Sequence, residues 1–111
     1  MAAPRPGKAV RGSTTGRPIM ALLDLLGRRW ALRILWELRH DPATFRILRE
    51  RCDAVSPSVL NLRLAELRGA GIVRPGPASG YGLTQEGKRL IEALAPLSDW
   101  AQRWQRRTMP K

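Results

Sequence analysis

The chain has 111 residues and a mass of 12.4 kDa, the size of one domain, and its 43% hydrophobic and 26% charged residues are ordinary for a globular fold. Twenty Lys and Arg against nine Asp and Glu give a formal charge of +11, which draws the chain to polyanions, nucleic acid first and an anionic membrane surface second. One cysteine and one histidine exclude an internal disulfide framework, a multi-Cys zinc site and a His-based metal or acid–base relay.

Residues 1–17 hold Pro, Gly, Ser and Thr with Arg5, Lys8, Arg11 and Arg17 and no acid. With little to bury they read as a basic tail, either simply solvated or reaching a phosphate backbone. Pro18 opens a first helix through Leu26, with Gly27 as its stop. Trp30 to Arg39 is a second helix, since Trp30, Ile34, Leu35 and Leu38 recur at helical spacing, and His40-Asp41-Pro42 ends it. A third, short helix runs from about Thr44 to Cys52, with Phe45, Leu48 and Cys52 on one face. After the break Asp53-Ala54-Val55, Ser56-Pro57 is a hydroxyl cap with proline in the first turn, and a fourth helix continues to about Ala70, with Gly71 as a left-handed cap. Residues 72–74 and 81–83 form a small hairpin around a Pro/Gly loop. Thr84 caps a last helix to about Arg107 that carries Leu90, Leu94, Leu97, Ala101 and Trp104 as one stripe and bends at Pro96; residues 108–111 are a C-terminal tail.

Two helices joined by a three-residue turn, followed at once by a hairpin, make a winged helix-turn-helix. The expected fold is therefore mainly α with a small β wing, in one domain over residues 18–107. On the fourth helix, at about 100° per residue, Leu60, Leu64 and Leu67 face the core while Ser58, Asn61, Leu62 and Ala65 face out. That outer face is small and polar, suited to a major groove. Asn61 matches the edge of adenine, Leu62 a thymine methyl, and Ser58 lies beside them.

The motifs also resemble a known family. Leu22-Leu23-Asp24-Leu25-Leu26-Gly27-Arg28-Arg29-Trp30 is similar to the opening of HxlR-type transcriptional regulators, and Ser56 to Leu67 resembles their recognition helix. Gly71-Ile72-Val73-Arg74 and Tyr81-Gly82-Leu83-Thr84-Gln85-Glu86-Gly87 resemble the entry to and exit from their wing, and Leu97 and Trp100 their terminal Leu-x-x-Trp. The resemblance spans about residues 17–104 and implies a dimeric, prokaryotic winged-helix DNA-binding protein. Arg17-Pro18 stands where many members have Cys-Pro, so sensing through that cysteine is not expected. Thr44, Ile47 and a short wing with few basic residues are further departures, and they point to a different affinity or sequence preference.

The candidate residues follow. Ser58, Asn61 and Leu62 are expected to read bases. Arg28, Arg29, Arg46, Arg49, Ser56, Arg63 and Arg74 are expected at the DNA backbone, where contacts fix register but read no sequence. Leu22, Leu23, Leu26, Leu94, Leu97, Trp100 and Trp104 are expected at a homodimer interface of the first and last helices, two-fold dimers being the commonest oligomers. Trp100 and Trp104 have two further possible roles, filling the core or lining an effector cleft. Tyr81 is read as a packing residue, Cys52 as a small buried hydrophobe rather than a sensor, and His40 as a helix-end residue.

There is no nucleophile–base pair, carboxylate pair, phosphate-cradling Gly loop or metal-ligand spacing, so neither an enzyme nor a cofactor is expected. No apolar run approaches the roughly 20 residues of a membrane helix, and no apolar signal segment follows the basic N-terminus, so a cytoplasmic, nucleoid-associated protein is expected. Three functions remain open: a sequence-specific regulator of double-stranded DNA, with repression expected because no extra domain is apparent; a nonspecific architectural protein; or a protein-interaction adaptor.

Overall fold

The computed structural model describes Pro6 and residues 17–108. Apart from Pro6 and Arg17 the basic tail lies outside the described residues, as do residues 109–111. The elements are α1 (Pro18–Leu26), α2 (Ala31–Glu37), α3 (Phe45–Arg51), α4 (Pro57–Gly69), β1 (Val73–Pro75), β2 (Tyr81–Leu83), α5 (Gln85–Leu94) and α6 (Pro96–Thr108). The order is the expected one: three helices, a tight turn, the long α4, a hairpin and a helical C-terminal part.

Local chemistry explains most boundaries. Thr44, Ser56 and Thr84 each have extended backbone and accept an N–H from the first turn, from Ile47 and Val59 at 3.2 Å and from Gly87 at 3.0 Å. Each thus satisfies one of the donors a helix start leaves open. The α3–α4 turn is made by Asp53 and Ala54, both left-handed at φ 56 and 59. Gly71 is left-handed at φ 78, the conformation that ends α4 and that only glycine adopts without cost. Gly27 ends α1 differently, with right-handed backbone and its N–H on the Leu23 carbonyl at 2.9 Å. Trp30, expected inside the second helix, is instead its cap, at φ 76.

The core gathers Leu25 from α1, Ile34, Leu35 and Leu38 from the α2 segment, Leu48 from α3 and Cys52 that caps its end, and Leu60, Leu64 and Leu67 from α4, closed by Val55, Ile72, Val73 and Leu83. Phe45 and Tyr81 pack against it, half-buried. The helical spacing of the apolar positions fixes which faces turn inward.

The hairpin pairs β1 and β2 antiparallel, Val73 opposite Leu83 and Pro75 opposite Tyr81, around one 3-10 turn at Pro77–Ser79. Ala43 adds a rung to the other edge of β2. Its N–H donates to the Tyr81 carbonyl at 2.9 Å, and its carbonyl accepts from the Tyr81 N–H at 2.8 Å. The wing is thereby anchored to Ala43, the residue before the Thr44 cap of α3.

The single last helix is corrected to two. Pro96 has no N–H to continue the ladder, and Ser98 donates instead to the Ala95 carbonyl three residues back at 3.0 Å. Only the α5 part of the stripe reaches the core, through Leu90 and Ile91. Leu97, Trp100 and Trp104 are exposed at 57%, 53% and 53%, so a core-filling role for the two tryptophans is overturned.

Candidate nucleic-acid interface

The face of α4 opposite Leu60, Leu64 and Leu67 is open. Ser58, Asn61 and Ala65 are exposed, and Leu62 is 45% exposed. Ser56 caps the helix and its hydroxyl lies 3.5 Å from that of Ser58, so two hydroxyls mark the N-terminal end of this face. Arg68, seven residues beyond Asn61, continues the same side and is exposed. The sequence reading did not single out Arg68, although its i+7 spacing from Asn61 carries the signal.

The seven backbone candidates divide in two. Arg29, Arg46 and Arg74 are exposed. Arg29 lies 5.9 Å from the Trp30 ring, Arg46 reaches the exposed Glu50 at 3.3 Å, and Arg74 donates to the Pro75 carbonyl at 3.0 Å. Ser56, with its hydroxyl on the Val59 N–H, stays at the surface beside them.

Arg28, Arg49 and Arg63 turn inward. Arg49 donates through Nε to the Val55 carbonyl at 2.7 Å, bracing the turn before α4. Arg63 donates to the Arg29 carbonyl at 2.7 Å and to Glu66 Oε1 at 2.8 Å. Arg28 donates to Glu66 Oε2 and, at 3.1 Å, to Asp24. The structure thus places these three in the scaffold behind the α4 face, each bonded to protein acceptors.

Arg33 is a second residue the sequence reading missed. It donates to Glu37 at 2.8 Å, to Asp53 at 3.1 Å and to the Arg51 carbonyl at 2.7 Å, tying α2 to the turn between α3 and α4. The Glu37 hydrogen bond, ahead of the charges of Asp53 and Glu37, moves this guanidinium up from its ordinary pKa. Nothing in the local spacing announces the clamp, because two of its three acceptors lie about twenty residues away in the chain.

Of the dimer candidates, Leu23, Leu97, Trp100 and Trp104 are exposed, whereas Leu22, Leu26 and Leu94 are half-buried, with Leu26 packed on the core. Ile19 extends the exposed apolar face of α1. Leu94 and Leu97 line an apolar slot of about 380 Å³ with Leu32, Trp36 and Ile91. Cys52 is fully buried, as its position beside Phe45 and Leu48 implied, and burial pushes its thiol above the ordinary range, against the opposing charge of Arg33. No group of three His, Cys, Asp or Glu side chains that could hold a metal occurs among the described residues, and none of their helices is long and apolar enough to cross a membrane.

Residues 25–109 match the family model described as HxlR-like helix-turn-helix. The chain is 32% identical over 88 residues to the uncharacterized HTH-type transcriptional regulator YvaP of Bacillus subtilis strain 168, covering 74% of this chain and 82% of that protein. The fold is similar to quinone-bound YodB from B. subtilis, with a TM-score of 0.70 and 29% identity over 77% of this chain and 96% of that one. It is also similar to a possible HxlR family transcriptional factor from Thermoplasma volcanium GSS1, with a TM-score of 0.67 and 27% identity over 77% of this chain and 82% of that one. On sequence and on fold together, the chain belongs to the HxlR-like helix-turn-helix family of transcriptional regulators.

Proposed function

We propose that the protein binds double-stranded DNA sequence-specifically as a homodimer and regulates transcription by repression. In this reading α4 enters the major groove, and the hairpin lies on the adjacent backbone and minor groove. Asn61, with Ser58 and Leu62, reads base edges. The exposed Arg29, Arg46 and Arg74 set the register on phosphates, with Arg68 extending that set along α4. The observation that carries the reading is the α4 face itself. It is exposed, polar at Ser58 and Asn61 and small at Ala65, and flanked by solvent-facing guanidiniums in a chain of charge +11. A nonspecific binder gains from Lys or Arg at positions 58, 61 or 62, and this helix has none there.

The homodimer follows from the apolar surface left over. Ile19 and Leu23 on α1 and Leu97, Trp100 and Trp104 on α6 are about half exposed, more large apolar surface than a monomer this small usually leaves in water. Pairing across a two-fold axis covers it and presents two α4 helices to half-sites about 34 Å apart. Selection of bound duplexes from a random pool tests the reading. A two-fold-symmetric consensus is expected, whereas unselective recovery with a steep salt dependence points to an architectural protein, and no recovery to an adaptor.

A further inference from the structure

Glu66 is the one charged side chain buried among the described residues, at 5% exposure. It sits on α4, and each carboxylate oxygen serves a different arginine: Oε1 accepts from Arg63 of the same helix at 2.8 Å, and Oε2 from Arg28 of the α1–α2 turn. Asp24 of α1 completes the group, accepting from Arg28 at 3.1 Å. Two guanidiniums and two carboxylates cancel, as charges held away from water must unless the fold is to bear a large cost. The group floors an open cleft of about 500 Å³, walled by Leu23, Gly27, Arg29 and Leu62. Leu62 belongs to the outer face of α4, so the two arginines lie next to the surface assigned to DNA, yet their charge is already matched.

We propose that Glu66, supported by Asp24, is a specificity-determining residue. It withholds Arg28 and Arg63 from the phosphate backbone and fixes the rotation of α4, so that Asn61 and its neighbours face the groove without two extra sequence-blind contacts. The inference rests on the DNA-binding reading above. In a chain this basic, nonspecific attraction is the larger hazard to discrimination, because an arginine free to reach phosphate strengthens a loosely seated, sequence-blind complex more than one whose α4 is already fixed by base contacts. An acid on the inner side of the recognition helix lowers that background without occupying the reading face.

The test is the salt dependence of binding to the selected duplex and to a scrambled one, for the wild type and for E66Q, D24N and E66Q/R63A. Thermal melting of each variant confirms folding. Each freed guanidinium that finds a phosphate steepens the log–log salt slope by about 0.9. E66Q is expected to steepen it by roughly 1 to 2 on the scrambled duplex and by less on the selected one, where the seated base contacts hold α4 in place, and so to tighten the scrambled complex and lower the specificity ratio several-fold. Adding R63A is expected to return about one contact's worth of slope. D24N, at the rim of the group, is expected to move slope and ratio in the same direction by less, and it decides the matter if E66Q does not fold. An unchanged ratio in the folded variants, whether the slope stays as it was or steepens equally on both duplexes, or a slope in E66Q/R63A as steep as in E66Q, overturns the inference while leaving the wild type a sequence-specific binder. A wild type that binds neither duplex overturns the functional reading itself, and this inference with it.

Discussion

Trp100 and Trp104 stack on one another, ring centroids 5.6 Å apart and planes 22° from parallel, on a helix in which no residue is buried. Stacked indoles at about half exposure are a costly surface in water and a strong anchor once covered. The dimer account therefore places the loss of affinity between copies at this pair. Trp104→Glu is expected to yield a folded monomer, and Trp104→Ala to weaken the dimer by about 2 kcal/mol or more, roughly 30-fold. Sedimentation equilibrium measures both, and a variant that sediments as the wild type does contradicts the assignment of α6 to the interface.

The wing is held to α5 by a contact that leaves no room for a side chain. A Cβ at Gly87 lies 2.2 Å from the Ile72 carbonyl oxygen, while the Thr84 hydroxyl donates to the Gly71 carbonyl at 2.6 Å beside it. Gly87→Ala must push α5 away from the strand entry and is expected to cost about 1–3 kcal/mol. Gly69, at the end of α4, meets nothing within 4 Å, so Gly69→Ala is expected to stabilise by about 0.5–1 kcal/mol through the backbone entropy alone. Thermal melting separates the two, since each 1 kcal/mol moves Tm by about 4–8 °C in a domain of this size.

Cys52 has its thiol raised by burial, which favours the neutral form in the folded state. A thiol whose folded pKa lies above its unfolded value contributes stability that is complete below the unfolded pKa and is lost as pH rises through the folded one. Through this group, stability is accordingly expected not to vary with pH near neutrality and to fall at alkaline pH, with Cys52→Ala removing that alkaline part of the loss. Because the thiolate is the reactive form and the side chain is fully buried, alkylation by a maleimide at neutral pH is expected only at the rate of transient opening. Rapid labelling of the folded protein contradicts this and reopens a sensing role.

How far the fold is legible in the sequence depends on how local each cause is. Ser56-Pro57, Thr44 and Thr84 declare their helices because a cap acts within one turn. Leu60, Leu64 and Leu67 declare the buried face of α4 because 3.6-residue periodicity is local too. The break at Pro96 was visible as a bend, but separation into α5 and α6 depends on how little of the distal segment the core can cover. The rung at Ala43 and the Arg33 clamp were illegible, since both join segments far apart in the chain. The candidate arginines show the same limit. The family resemblance marks Arg28, and their places on the third and fourth helices mark Arg49 and Arg63, as backbone candidates, but only the fold shows that Val55, Arg29, Asp24 and Glu66 supply their acceptors.

The most direct test of the central claim is the affinity for a selected duplex and for a scrambled duplex of the same length, at two salt concentrations, for the wild type and Asn61→Ala. A specific regulator favours its site by about 10³-fold or more. Loss of a bidentate base contact costs about 1–3 kcal/mol on that site alone. The account predicts such a ratio for the wild type, a drop of roughly 5- to 150-fold on the selected duplex for Asn61→Ala, and no change on the scrambled one. Equal wild-type affinity for the two duplexes, or an Asn61→Ala variant that binds both as the wild type does, contradicts the claim that the exposed face of α4 reads sequence.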